Sequence, residues 1–143
     1  DFEYIIVDDG STDQTESVIL NFNDPRIRYI KINHLGRSAA LNFALKQARY
    51  EIIALMDADD ISHPHRIEKE IEKLENENQI VFCESAYFID DKISYVNRSP
   101  QNYFELKLKI LLHGHLNNSS AFFYKKFILE LSLIHISEPT RPY

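Results

Sequence analysis

The fold is decided by the stretch YIIVDDGSTD at residues 4–13, in which an apolar run stops abruptly at two acids and a turn. Residues 4–7 are apolar and rich in β-branched side chains, which predicts a buried strand. Glycine and small polar residues follow at once, which predicts a turn and then a helix. The pattern recurs at residues 52–60, where the apolar run IIALM ends in DADD. The chain therefore contains two strands that each end in carboxylates.

Strands and helices alternate around these two stretches. Residues 27–32 predict a short strand, and Gly36 precedes residues 37–49, where apolar residues fall at helical spacing. Such alternation with short connections predicts an α/β fold with a mainly parallel sheet covered by helices on both faces. Ligands bind to sheets of that kind at the carboxyl ends of the strands. We therefore expect both acidic clusters to lie in one crevice.

Composition restricts the classes of partner. The 143 residues suffice for one domain, and 16 Lys plus Arg against 22 Asp plus Glu give a net charge of −6. That charge repels a phosphate backbone, which argues against nucleic acid as a partner. A phosphorylated small molecule can still bind if a divalent cation lies between its phosphates and the carboxylates. Cys83 is the only cysteine of these residues and lies in an apolar run, which predicts a small buried side chain.

The acidic cluster at residues 57–60 places like charges directly after a buried strand. A hard divalent cation compensates such charges, and Mg²⁺ takes one or two carboxylates while phosphates fill other positions. The alternative is a polar turn in which Asp60 or Ser62 caps the next helix. In the first cluster, an Asx turn accounts for residues 11–13 but not for Asp8 and Asp9 together. A carboxylate at that strand end can accept a hydrogen bond from a nucleoside.

Three motifs together resemble the nucleotide-sugar-binding region of family 2 glycosyltransferases. They are IVDDGSTD at residues 6–13, GRSAALN at residues 36–42 and MDADD at residues 56–60. Each motif alone is common, but their order and approximate spacing are those of the family. The resemblance implies a GT-A fold, which is a Rossmann-like α/β sheet. It also implies an inverting, metal-dependent transfer of a sugar from a nucleotide-diphosphate sugar to an acceptor hydroxyl.

The resemblance implies a role for individual residues. Asp9 would contact the base, usually uracil, Asp57 would hold the ribose, and Asp59 would ligate Mg²⁺ or Mn²⁺ bound to the diphosphate. The other candidate residues of the nucleotide-sugar site are Ser11, Gly36 and Arg37. Of these, Gly36 and Arg37 would lie near the phosphate or sugar. The implied partners are a UDP-sugar and a glycan or lipid acceptor, as in cell-wall or polysaccharide biosynthesis. The implied location is the cytoplasm or the cytoplasmic face of a membrane.

The chain departs from the family pattern at two places. Family members begin with a strand and a Pro- and Asn-bearing loop, which is not found before residue 1, and their catalytic base comes from a Glu-Asp motif that is not found here. The catalytic residues are therefore unknown from the sequence. We expect residues 1–131 to form a partial GT-A domain, incomplete at both ends. Residues 132–143 resemble translated sequencing-adapter DNA, so we expect a non-native tail.

Other interpretations stay open at this stage. A response-regulator receiver domain phosphorylated on Asp57 also has paired acids after one strand, although no Lys-Pro dipeptide follows as it should. A non-catalytic nucleotide-binding fragment is a further alternative. Two His-x-His pairs, at residues 63–65 and 113–115, have ligand types that suit zinc, but we interpret them as residues at helix ends. In the helix that should follow Pro64, we expect Ile67, Ile71 and Leu74 to form the apolar face and the Glu/Lys run to be solvated.

Overall fold

The computed structural model describes residues 1–90, 92–98, 100, 102, 104–105, 107 and 118–130. These residues form mixed α/β structure, as predicted, and divide into two compact units. The first unit contains residues 1–51 and the second contains Ile52–Phe127. The tail predicted at residues 132–143 lies outside the described residues.

The first unit contains a parallel strand pair. Strands β1 (Tyr4–Asp8) and β2 (Ile27–Lys31) pair in parallel from Tyr4 opposite Ile27 to Asp8 opposite Lys31. Helix α1 (Thr15–Leu20) lies in the crossover that a parallel pair requires. Helix α2 (Arg37–Gln47) packs against β1 and buries Leu45, a member of the predicted apolar stripe. The sequence prediction of a strand, a helix and a second parallel strand is confirmed here.

The second unit contains antiparallel pairs. Strands β3 (Ile52–Ala54) and β4 (Ile80–Val81) both pair antiparallel with β7 (Phe122–Tyr124). Strands β5 (Ser85–Ile89) and β6 (Lys92–Asn97) form an antiparallel hairpin. The predicted parallel pairing is therefore found in the first unit only, because β3 and β4 both add to a strand that runs the other way. Phe122 and Phe123 of β7 are almost fully buried and form the core of this unit.

The helices of the second half differ from the sequence prediction in one respect. Helix α3 (Arg66–Lys73) begins two residues after Pro64, and helix α4 (Lys125–Glu130) follows β7 directly. In α3 the side chains of Ile67 and Ile71 are exposed, whereas Glu70 is buried. The predicted apolar face is therefore wrong for the two isoleucines, whereas Leu74 is half-buried, and the charge run is not wholly solvated. No helix among the described residues combines the length and the apolar character that crossing a bilayer requires.

Candidate functional site

Asp8 ends β1 as a buried carboxylate, only 5% exposed. Its Oδ1 accepts the backbone N–H of Ser11 at 2.7 Å, and its Oδ2 accepts the hydroxyl of Tyr29 from β2. Tyr29 lies opposite Ile6, two residues before Asp8, so its ring shares a face of the sheet with Asp8 and reaches it diagonally. Asp8 therefore holds the turn at residues 8–11 to the neighbouring strand.

The hydrogen bonds of Asp8 stabilise its ionised form. The Tyr29 hydroxyl first, and then the Ser11 N–H, lower the pKa of Asp8 from 3.8 to about 2, against the opposing effect of burial. Burial first, and then the hydrogen bond to Asp8, raise the pKa of the Tyr29 hydroxyl above its ordinary value. The carboxylate is thus ionised at neutral pH, and the phenol remains its donor.

Stability should depend on pH through Asp8. Because the pKa of Asp8 is lower in the folded state, the unfolded chain binds more protons below about pH 4, and stability is lost as the pH falls from there towards 2. We expect Asp8 to contribute about 2 kcal/mol to this loss. In Tyr29→Phe the loss should shrink, because the donor that lowers the pKa most is removed. Urea unfolding of both proteins across this window measures the difference, and equal slopes would contradict the assignment.

Asp9 connects the end of β1 to the loop before α2. Its carboxylate accepts the backbone N–H groups of Leu35 at 2.8 Å and Gly36 at 2.9 Å, and Nδ1 of His34 lies 3.2 Å from it. The loop approaches so closely that a Cβ on Gly10, whose φ is +86°, would lie 3.1 Å from the backbone nitrogen of His34. The structure therefore brings Asp9 and Gly36 together.

The other candidate residues of the first unit lie beside this link. Gly36 has a φ of +91° and directly precedes α2, which begins at Arg37. Ser11 is joined to Asp8 through its backbone N–H. Sequence reasoning missed the role of Tyr29, although its period-two position in β2 is a signal that could have placed it on the same face as Asp8.

The second acidic cluster forms a turn after β3. The backbone N–H of Asp60 donates to the carbonyl of Asp57 at 3.2 Å, which places Asp59 in the turn. Asp57 is partly buried and Asp59 is exposed. The Asp59 carboxylate makes no hydrogen bond or ion pair among the described residues, so its oxygens can accept a hard cation. Asp57 and Asp59 belong to the second unit, and their convergence with Asp9 stays a prediction.

A buried ion pair lies next to this turn and was missed by sequence reasoning. Nε of Arg66 donates to Oε1 of Glu70 at 3.0 Å, and the two side chains are only 8% and 3% exposed. Arg66 also donates through Nη2 to the carbonyl of Leu55 at 2.9 Å. The i,i+4 spacing in α3 was the available signal, but such pairs are usually at the surface.

The histidine pair at the start of α3 has local partners. Nδ1 of His65 lies 3.1 Å from Oε2 of Glu68, and the rings of His63 and His65 are 5.6 Å apart. Within the part of the chain that the structure describes, no three His, Cys, Asp or Glu side chains are grouped so that they could hold a metal ion by themselves. The second pair, His113 and His115, lies outside the described residues.

A cavity of about 470 Å³ lies elsewhere in the first unit. Arg26, Arg28 and Arg49 contribute to its lining, at the amino ends of β1 and β2. The candidate residues follow the carboxyl end of β1, which is where sheets with parallel strands bind their ligands. The cavity is therefore separate from the candidate residues of this unit.

Comparison with known proteins decides the family. The model of the family described as "Glycosyl transferase family 2" matches residues 1–132. The chain belongs to this family. A glycosyltransferase of Rickettsia felis is 31% identical to it over 96% of this chain and 24% of its own length, and one of Methanocaldococcus jannaschii is 36% identical over 91% and 47%. Both are named "Uncharacterized glycosyltransferase".

A third relative of this family 2 glycosyltransferase chain has a more specific name. The "UDP-Glc:alpha-D-GlcNAc-diphosphoundecaprenol beta-1,3-glucosyltransferase WfaP" of Escherichia coli is 40% identical over 62% of this chain and 35% of its own length. The chain thus spans less than half the length of these curated relatives. Family 2 membership implies the GT-A fold, with which the mixed α/β structure agrees, and it decides against the receiver-domain alternative.

Proposed function

We propose that the chain forms the donor-binding part of an inverting, metal-dependent hexosyltransferase that uses a UDP-sugar. The observation that carries the proposal is the exposed Asp59 carboxylate, which has no partner among the described residues and lies in a turn directly after β3. In a chain with a net charge of −6, a cation is the means by which such a carboxylate can hold a diphosphate. The Escherichia coli relative is, by its name, a UDP-Glc-dependent glucosyltransferase, which supports the choice of donor.

The side chains of the first unit would bind the nucleoside and orient the phosphates. Each Asp9 oxygen accepts one backbone N–H and keeps acceptor capacity, so the carboxylate can also accept the N–H of uracil. The same two hydrogen bonds hold the loop before Gly36 in place. Arg37, at the amino end of α2, would lie near the phosphate or sugar, where a guanidinium offsets negative charge. Ser11 is the remaining candidate residue of the nucleotide-sugar site in the first unit.

The side chains of the second unit would hold the ribose and the metal. Asp57 would accept hydrogen bonds from ribose hydroxyls, and Asp59 would ligate Mg²⁺ or Mn²⁺. When bound, this ion would stabilise the charge of the departing diphosphate. An acceptor hydroxyl must lose a proton to a base, and no Glu-Asp dipeptide occurs in the 143 residues. Donor binding without turnover is therefore the second candidate function.

The acceptor and location are extensions of the same proposal. The name of the Escherichia coli relative specifies a diphosphoundecaprenol-linked sugar as its acceptor. We infer a lipid-linked glycan as the acceptor of the whole protein here too, in the synthesis of a surface polysaccharide at the cytoplasmic face of a membrane.

Calorimetry with nucleotides tests donor binding. We expect the chain to bind UDP in the presence of Mn²⁺, to bind it much more weakly without the ion, and to bind UMP and GDP more weakly than UDP. UMP lacks the second phosphate that the ion would bridge, and GDP carries a base with a different hydrogen-bonding edge. Equal affinity for UDP with and without Mn²⁺ would count against the metal. Release of sugar from a UDP-sugar panel, measured on the same protein, separates turnover from binding alone.

A further inference from the structure

Helix α3 buries two of its charged side chains, whereas its two isoleucines are exposed. Ile67 is 42% exposed and Ile71 is 54% exposed, while the side chains of Arg66 and Glu70 are 8% and 3% exposed. Burial of an ion pair costs desolvation free energy, and well-packed apolar residues often stabilise such a position equally well. Stability alone therefore does not account for a charged pair on the inner face of this helix.

Arg66 connects the ion pair to the strand that precedes the acidic turn. Its Nη2 donates to the carbonyl of Leu55 at 2.9 Å, and the N–H of Leu55 donates to the carbonyl of Ala121 at 2.8 Å. Leu55 is therefore held through both of its backbone polar groups. Asp57 begins the turn two residues later. The Leu55 carbonyl that Arg66 binds therefore lies directly before the turn, with only Met56 between them.

Glu70 determines the direction of the Arg66 side chain. Its Oε1 accepts Nε of Arg66, which leaves the outer nitrogen Nη2 directed at Leu55. The guanidinium is planar and presents its donors in a rigid fork, so two bonds in different directions fix its orientation. The Cys83 thiol lies beside the Glu70 carboxylate, and the Cys83 carbonyl accepts the Ser120 hydroxyl at 3.2 Å. The Arg66 and Glu70 side chains are both almost fully buried.

We propose that Arg66, oriented by Glu70, is a positioning residue that holds the Leu55 carbonyl and thereby sets where the Asp57–Asp60 turn presents the Asp59 carboxylate. The inference rests on the proposed function, because it assigns the purpose of this turn to cation and diphosphate binding. Positions of ligands at metal sites depend on such supporting contacts, whose loss typically weakens binding by about 10- to 100-fold.

A pair of double variants of α3 tests the proposal. Arg66→Met/Glu70→Met removes both buried charges, so the fold does not have to hold one of them unpaired. Lys69→Met/Glu72→Met removes a pair of the same helix that is exposed, with Nζ and Oε2 2.9 Å apart. We expect the first double variant to bind UDP with Mn²⁺ roughly 10-fold more weakly than the wild type, and the second to bind it unchanged.

Amide hydrogen exchange provides a second readout that needs no ligand. The N–H of Asp60 is hydrogen-bonded to the carbonyl of Asp57, so its exchange reports the order of the turn. We expect faster exchange at Asp60 in Arg66→Met/Glu70→Met, with protection in β7 retained, and no change in the control. Arg66→Lys should also exchange faster, because an ammonium cannot reproduce the fixed fork.

The two readouts keep the proposal and the proposed function apart. Unchanged exchange at Asp60 in the buried double variant would overturn the positioning role, whether or not the protein binds UDP. If the wild type fails to bind UDP with Mn²⁺, the proposed function fails, while faster exchange at Asp60 still supports Arg66 as the residue that orders the turn. Faster exchange with unchanged UDP affinity would overturn the link between the turn and the ligand.

Discussion

In the Asp59→Asn variant, we expect the Mn²⁺-dependent affinity for UDP to fall by roughly 100-fold. Loss of a residue that only supports a metal ligand weakens metal binding by about 10- to 100-fold, so loss of the ligand itself should reach the upper end of that range. Asparagine keeps the size of the side chain but removes the charge that a hard divalent cation requires. The exposed Asp59 side chain makes no hydrogen bond or ion pair among the residues described, so the folded state should lose little. Isothermal titration with and without Mn²⁺ measures the change.

The control for this variant is Glu75→Gln. It too removes one negative charge from an exposed position of the second unit while keeping the size of the side chain. Its UDP affinity should match that of the wild type, because Glu75 follows the carboxyl end of α3 and is not part of the Asp57–Asp60 turn. A similar loss in both variants would show that net charge, rather than ligation by Asp59, governs binding.

The Arg66→Met variant should lower the free energy of unfolding by about 3 kcal/mol or more, because it leaves the Glu70 carboxylate buried without its partner. The Glu70 side chain is only 3% exposed, so water cannot replace the guanidinium. In Arg66→Met/Glu70→Met most of this loss should be recovered, since neither charge remains to be desolvated. Urea unfolding of the three proteins measures both steps.

The exposed ion pair of the same helix is the control for these stability measurements. Lys69 and Glu72 are 67% and 52% exposed, and removal of either side chain should change stability by less than about 1 kcal/mol. A double variant of Arg66 and Glu70 that is no more stable than Arg66→Met alone would contradict the account of an unpaired buried charge. It would indicate instead that the methionines cannot pack where the ion pair lies.

Much of the local structure could be predicted from residue pattern. The apolar, β-branched run at residues 4–7 and the turn residues after it predicted a strand, and the structure extends that strand by one residue, to Asp8. Helix α2 begins at Arg37, the first residue of the predicted helix, because Gly36 adopts the positive φ that precedes it. Family membership was also predictable, since it depends on motifs that lie in contiguous stretches.

The buried face of helix α3 could not be predicted from the residue pattern. Its isoleucines recur at helical spacing, yet the helix turns Arg66 and Glu70 inward. The reason lies outside the helix, because the carbonyl of Leu55, which accepts the guanidinium, belongs to the segment after β3. No property of residues 66–73 alone predicts that acceptor.

Contiguous residues alone specified the strands, the turns and the acidic stretches of this protein, because apolar periodicity and turn chemistry act over a few neighbouring positions. The tertiary structure decided which of the carboxylates at the two strand ends hold the fold together through hydrogen bonds and which stay exposed. Asp8 is ionised, buried and bonded to Tyr29, 21 positions away, whereas Asp59 was left exposed. A carboxylate is stabilised by the donors that surround it, and for Asp8 a main donor arrives from the neighbouring strand only when the sheet has formed.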